Sequence, residues 1–544
     1  MDHRLEQRTS RLGRCLAGGL LGLAALASSG CFNDAQWRSP DPSRLYFPTG
    51  LAVSAGGTTL YVANSDFDLR YSGGTLQAFD LATIRAAIRV IPEALAQGHS
   101  ASEACALAGR GPNGSLWLDP GPCDAFPVES VARNSISIGA FASGLLLAYR
   151  PDADGARLFV PVRGDPSITY FDVQDDRSVA AQAAPSFTLD CAVGDDGFCD
   201  AAHRLGQDPD RTLRGIQLPA DPVGIAASAD GTAIVTAHQT QQAASLVIND
   251  WTSIPWLSYY TSSMPAGPTD VATVPVPAVV KAAVTAAAQS GDTFDYREGF
   301  AVTFRSSPEI DVLRYYPDSG SVPPRPYLVR ASATPVTTNS SNVDSRGVAI
   351  WDEERKACEA SCTDPSDVAC LRGCADIPLR IFMANRGPSS LLLGRIETVL
   401  DSKMVQNPGD PAAHEVLLGA SETITFYDSV PLSLGPSQVK LGHVIDENGK
   451  LAIRVFAVCF DTRTIFVFDP IVGRIEATIH TGRGPHAVVV DTGTFADGTA
   501  FSFLYVGHFT DSYIGVVDLD MRRPLTYGQM FASVGTPTPP QESK

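Results

Sequence analysis

The chain has 544 residues, 44% of them hydrophobic and 18% charged. That apolar content excludes global disorder and is enough for a large core. With 41 basic against 59 acidic residues, the formal charge is -18, which excludes a broad basic surface for nucleic acid or anionic lipid. At roughly 150 residues per domain the length predicts three to four domains, unless a repeat replaces that division. The 47 Gly and 39 Pro predict many turns.

Arg4, Arg8, Arg11 and Arg14 charge the N-terminus, and Cys15 to Ala27 is an apolar run without charge. Ser28-Ser29-Gly30 then precedes Cys31. This order predicts an export signal, and the apolar run is too short to span a bilayer comfortably. The segment resembles a bacterial lipoprotein signal, which implies removal of residues 1–30 and lipidation of Cys31. Ser28 stands where such signals usually carry an aliphatic residue, so ordinary secretion with an unmodified Cys31 stays open. Phe32 rather than Asp after the Cys implies the outer membrane. Residues 31–46, with Pro40, Asp41 and Pro42, read as a tether, and the membrane is met through the lipid anchor only.

The next segment sets a pattern. Pro48 to Ser54 reads as a strand, Ala55-Gly56-Gly57 as a turn, Leu60 to Asn64 as a strand and Gly74 to Asp80 as a third. The same order returns at Pro222, Ala229-Asp230-Gly231, Ile234 to His238 and Ser245 to Asp250, and again at Pro485, Ala496-Asp497-Gly498, Leu504 to His508 and Ile514 to Asp520. Weaker copies start near Ser143, Thr269, Arg346 and Pro436, seven in all. Spacings of about 46 and 49 residues suit one four-stranded blade of a β-propeller. Arg474 to His480 fits a fourth strand. The fold class expected is therefore all-β: a seven-bladed β-propeller over 47–535, with a disordered tail at 536–544. Separate β-sandwiches are the rival. Ring closure has two candidates, Leu525 to Phe531 as the last outer strand or Leu45-Tyr46-Phe47 paired across the seam.

Longer intervals mark insertions at 82–130, 176–214, 276–298 and 353–376, the third with a helix-like Ala278 to Gln289. Eight cysteines fall in close sets in or beside them. In an oxidising compartment they predict Cys105–Cys123, Cys191–Cys199 and a nested Cys358–Cys374 with Cys362–Cys370 stapling a helical hairpin. A four-Cys zinc site is the rival for the last set; no metal is expected overall. Cys459 is left over in an apolar run, as an inert thiol. Asp152-Ala153-Asp154-Gly155 and Asp446-Glu447-Asn448-Gly449 lack the full calcium-loop spacing and read as hairpin turns.

The Pro-x-Gly-Leu/Ile-Ala start, the Asp-Gly or Gly-Gly turn and Leu60-Tyr61-Val62-Ala63-Asn64 resemble the YVTN-type repeats of bacterial β-propellers, which also occur in lactonase-like propellers. The resemblance covers about 47–535. It implies the fold, and only permits a lactonase-like hydrolase, since no catalytic motif of that group matches position by position. Antiparallel pairing puts first-strand starts and second-strand ends at one rim of the channel. That rim would gather Arg163, Arg305, Arg346 and Arg386 with His238, His486 and His508, a set suited to a small anionic ligand such as a carboxylate or sugar acid. The reading is an envelope lipoprotein and non-catalytic binding scaffold for an envelope protein, a polysaccharide or that ligand, with no cofactor. The alternative is a lactonase-like hydrolase at the channel mouth.

Overall fold

The computed structural model describes residues 39–114, 121–195, 197–290, 294, 296–318, 320–336, 344–364, 367–406 and 413–538. The leader and Cys31 lie outside them. Seven antiparallel sheets follow in chain order and close a seven-bladed β-propeller. Blade 1 is Pro48–Val53, Thr59–Asn64, Gly74–Asp80 and Ala132–Ile138. Blade 2 is Leu146–Tyr149, Ala156–Val162, Ser167–Val173 and Leu189–Asp190, with Arg204–Leu205 added beside its third strand. Blade 3 is Pro222–Ala227, Ala233–His238, Ala243–Ile248 and Trp256–Thr261; blade 4 is Pro268–Val274, Gly299–Phe304, Glu309–Tyr316 and Tyr327–Pro335. Blade 5 is Ser345–Trp351, Leu379–Arg386, Ser389–Gln406 and Ala413–Pro431. Blade 6 is Pro436–Ile445, Leu451–Cys459, Thr464–Asp469 and Arg474–His480; blade 7 is Pro485–Thr494, Ala500–His508, Tyr513–Asp518 and Met530–Val534.

Each blade is covered on both faces by its neighbours, so the second strands read as unbroken apolar runs instead of alternating ones. Thr59–Asn64, Ala233–His238 and Gly299–Phe304 are buried at every residue. The core is accordingly divided into seven apolar clusters, one at each blade-to-blade seam. In six blades the outer two strands slip register, as at Ala78/Phe79 and Val516/Val517, and in blade 5 they slip twice. A bulge there adds the right-handed twist that splays a blade from axis to rim.

The insertions leave the ring between strands. Leu81–Ile88 begins at Asp80, whose side chain caps the Thr83 amide, and buries Leu81, Ile84 and Ile88 on one face. A capping box of Ser100 and Glu103 starts Ala101–Leu107. Cys105–Cys123, Cys191–Cys199, Cys358–Cys374 and Cys362–Cys370 are bonded, the last two in the nested arrangement, so these sulfurs are bridged and not free as zinc thiolates. A further excursion has no counterpart among the predicted insertions. The outer strands of blade 5 run on to 18 and 19 residues. Their inner part packs through Leu400, Leu417 and Ala420 on the helix Ala278–Ser290 and the twin-Cys hairpin.

Ring closure follows neither sequence candidate in full. The last outer strand is C-terminal but lies at Met530–Val534. Leu45 to Phe47 forms no strand; Leu45 packs into the seam cluster, and the Phe47 amide donates to Ser512 Oγ at 3.1 Å. The extra strand contact comes from the blade 1 insertion: Phe126 donates to Ser533 O and accepts from the Gly535 amide, both at 2.8 Å.

Candidate functional site

The mouth of the channel is built from three residues of each repeat. The first precedes strand one: Phe47, Phe141, Asp221, Gly267, Asp344, Gly435 and Gly484. In six blades it is left-handed, with φ between 51° and 82°. Glycine takes that conformation at no steric cost, but Phe47 (φ 51°), Phe141 (φ 61°) and Asp221 (φ 63°) are strained by about 1–2 kcal/mol each. Their carbonyls, like those of the others, accept from the amide of a residue at or just past the end of strand two, at 2.6–3.2 Å. Those donors are the second set: Ser65, Arg163, Gln239, Arg305, Arg386, Phe460 and Phe509.

The third set stands two positions after the first. In six blades the pairing of strands one and two slips there, as between Pro48 and Gly50 or Pro268 and Asp270. A bulge re-aims the extra side chain. Thr49, Ser143, Val223, Thr269, Arg346, Ser437 and His486 all line one cavity of about 390 Å³. The residue after the bulge is Gly in three blades, Gly50, Gly224 and Gly347, because neighbouring first strands converge near the axis. A Cβ on Gly224 would stand 2.4 Å from Asp270 Cα, and one on Gly347 2.8 Å from the Val439 amide nitrogen.

Arg163, Arg346, Arg386 and His486 therefore line the cavity; Arg305, at the same repeat position as Arg163 and Arg386, stands outside its lining, and His238 and His508 turn away from it. His238 and His508 end their second strands with side chains turned into the blade and fully buried. His238 Nε2 meets Ser245 Oγ at 2.8 Å, and His508 stacks on Tyr513 at 4.0 Å between ring centroids. Burial pushes them down to about 4 and about 3, so both are neutral packing residues. In blade 4 the equivalent position is Phe304, which pairs with Pro268, so Arg305 lies one residue further out and is exposed. Cys459, at the same position in blade 6, is a buried free thiol pushed up by that burial.

The cations are unevenly matched. Arg163 is held by Asp221, and Arg346 meets Asp344 at 2.5 Å. Arg386 Nε donates to Pro436 O at 3.0 Å. Neither Arg386 nor Arg305 has an ion pair among the described residues. Burial lowers the Arg346 guanidinium, and Arg305 and Arg386 push it down further, which is the signature of positive charge gathered on blades 4 and 5. Burial, with Arg386, holds His486 down to about 4, so its ring is neutral. Asp270 lines the same cavity, accepts from the Val271 and Val348 amides at 2.9 and 3.0 Å, and is pushed up by burial.

Sequence reasoning missed the opposite wall. Phe67 and Phe509 have centroids 5.1 Å apart, Phe67 and Phe141 5.7 Å, Phe47 and Phe509 4.9 Å. Phe460 and His486 continue the cluster at 6.2 and 5.9 Å from Phe509. Phe460 and Phe509 occupy the same repeat position as Arg163 and Arg386. Aligning the copies by position, instead of selecting charged residues, would have found them. At the other end of the channel a cavity of about 610 Å³ holds Arg85, which is already paired with Asp491 at 2.5 Å.

No family model matches the chain, and no curated protein matches it. Its solved structural neighbours include lactonase-like propellers. A putative 6-phosphogluconolactonase from Bacteroides uniformis is 13% identical over 82% of this chain and 87% of its own, with a TM-score of 0.41. The periplasmic gluconolactonase of Pseudomonas aeruginosa is 10% identical over 80% and 86%, at 0.39. Hydrazine synthase of Kuenenia stuttgartiensis is 12% identical over 90% and 99%, at 0.42. Neighbours named for such different activities, at such low scores, pass no activity to this chain.

Proposed function

We propose that this chain is an exported, lipid-anchored binding protein that holds a small organic anion at one mouth of its propeller channel. The observation that carries the reading is the pair Arg346 and Arg386 in the cavity wall, with exposed Arg305 of the adjacent blade beside them and Asp344 the one carboxylate paired to any of the three among the described residues. Guanidinium forks bind carboxylates through paired charge-assisted hydrogen bonds. A cavity of about 390 Å³ suits a small molecule, while the insertions leave the outer surface for an envelope protein or polysaccharide. A hydrolytic reading has one observation in its favour: Asp270 and His486 line that cavity with Arg346 and Arg386.

Calorimetric titration of the mature protein with a panel of carboxylates tests the anion site. Arg346→Ala combined with Arg386→Ala is expected to weaken the best ligand about 100-fold, from two lost charge-assisted bonds. Unchanged affinity sinks the site. The same panel includes sugar lactones followed by acid release; turnover that Asp270→Asn abolishes would replace the binding reading with the hydrolytic one.

Export and anchoring are supported by the charged and apolar leader ahead of Cys31, and by four disulfides, which persist where thiols are oxidised. Cys31→Ser is expected to move the protein from the membrane to the soluble fraction of broken cells. A variant that stays with the membrane contradicts the lipid anchor.

A further inference from the structure

We infer that the anion received at this mouth carries a flat apolar group, so that its class is an aryl carboxylate and not a polyol acid such as a sugar acid. This rests on the reading of the mouth as an anion site and adds what the rest of the ligand must be. The blades follow one another around the ring in chain order, each packed on the next, with blade 7 against blade 1. In a ring of seven, blade 1 faces the gap between blades 4 and 5. The guanidinium pole, Arg346 and Arg386 with Arg305 just outside the cavity, therefore stands across the axis from Phe67 of blade 1. A ligand that spans the mouth meets charge at one end and ring faces at the other.

Three features show that the aromatic pole is a built surface. Phe67 is 52% exposed, although its ring already touches those of Phe47, Phe141 and Phe509. An apolar side chain left half in water beside a cavity gains when a ligand ring covers it. Phe47 and Phe141 occupy the left-handed position that blades 4, 6 and 7 give to glycine. The fold tolerates strained backbone there; Phe141 presents its ring to the cavity, and the buried Phe47 backs Phe67 and Phe509. His486 is neutral, lies edge-on to Phe460, and has a buried Nδ1 with no hydrogen-bond partner among the described residues. It extends the ring surface. A polyol would press hydroxyl groups on this wall without partners, whereas a phenyl ring leaves none unsatisfied.

The test titrates benzoate, 3-phenylpropionate, acetate and gluconate into the mature protein, with Phe67→Ala and Phe460→Leu beside it. Phe67 is exposed enough to be removed without emptying the core. An aryl carboxylate is expected to bind at least tenfold tighter than acetate or gluconate. Phe67→Ala should weaken it five- to tenfold and leave acetate and gluconate unchanged, with Phe460→Leu changing it in the same direction. Gluconate binding as tightly as the aryl acids, or equal affinities in wild type and both variants, overturns the ring-bearing ligand while the anion site stands. Failure of all four carboxylates overturns the anion site itself.

Discussion

Asp176→Ala is expected to destabilise the fold by about 3 kcal/mol. Asp176 follows the third strand of blade 2 and is 1% exposed. Its carboxylate reaches into the first turn of blade 1. Oδ1 accepts from the Gly56 amide at 2.8 Å, and Oδ2 from Ser54 Oγ at 2.5 Å, the Thr58 amide at 3.0 Å and Thr58 Oγ1 at 2.7 Å. Alanine would remove the acceptor of four donors, of which the Ser54 hydroxyl is buried and those of Gly56 and Thr58 partly so. Asp176→Asn keeps the shape and part of the accepting capacity, so about half the loss is expected. Urea denaturation at neutral pH reads both. A loss below 1 kcal/mol for alanine would mean that the turn relaxes and that this contact does not hold the seam.

Replacing Cys105 and Cys123 together by Ser is expected to cost about 3 kcal/mol, from the freedom returned to an unfolded loop with a sequence separation of 18. The site of the loss is as important as its size. This disulfide pins the insertion that carries Phe126 to the outer strand of blade 7, beside a cluster of Leu45, Phe126, Val128 and Val534. Among the described residues no strand is shared between the first and last blades, so this contact substitutes for one. The Gly535 amide, which donates to Phe126 O, should lose protection from hydrogen exchange ahead of the blade centres. Unaltered protection at Gly535 would show that the seam closes without the staple.

The mouth shows why part of the site was legible and part was not. Thr49, Ser143, Val223, Thr269, Arg346, Ser437 and His486 were placed correctly from the repeat alone, because each follows a recognisable strand start. His238, Arg305 and His508 were not. A side chain at the end of a β-strand faces one of two opposite directions, and a slip of one residue exchanges them. In blades 3 and 7 the terminal histidines turn into the blade; in blade 4 the slip replaces Arg305 by Phe304. The aromatic wall escaped because Phe141, Phe460 and Phe509 look like ordinary apolar residues until their loop positions are seen to share one cavity.

What the chain determines by itself is what short-range chemistry determines. Turn residues at repeated offsets, apolar runs of strand length and cysteines spaced for local bridges specify blades, their number and the stapled insertions, since every one of those contacts joins residues close in sequence. Only the tertiary structure decides what the blades make together. The guanidinium pole, the strained Phe47 and Phe141, the Phe126 closure and the extended outer strands of blade 5 depend on bulges, register and packing between segments up to hundreds of residues apart, and such convergence leaves no local trace. The acidic composition is the clearest case: a chain with a formal charge of -18 still brings Arg163, Arg346 and Arg386 to one mouth, because net charge is a sum over the surface and a site is a matter of position.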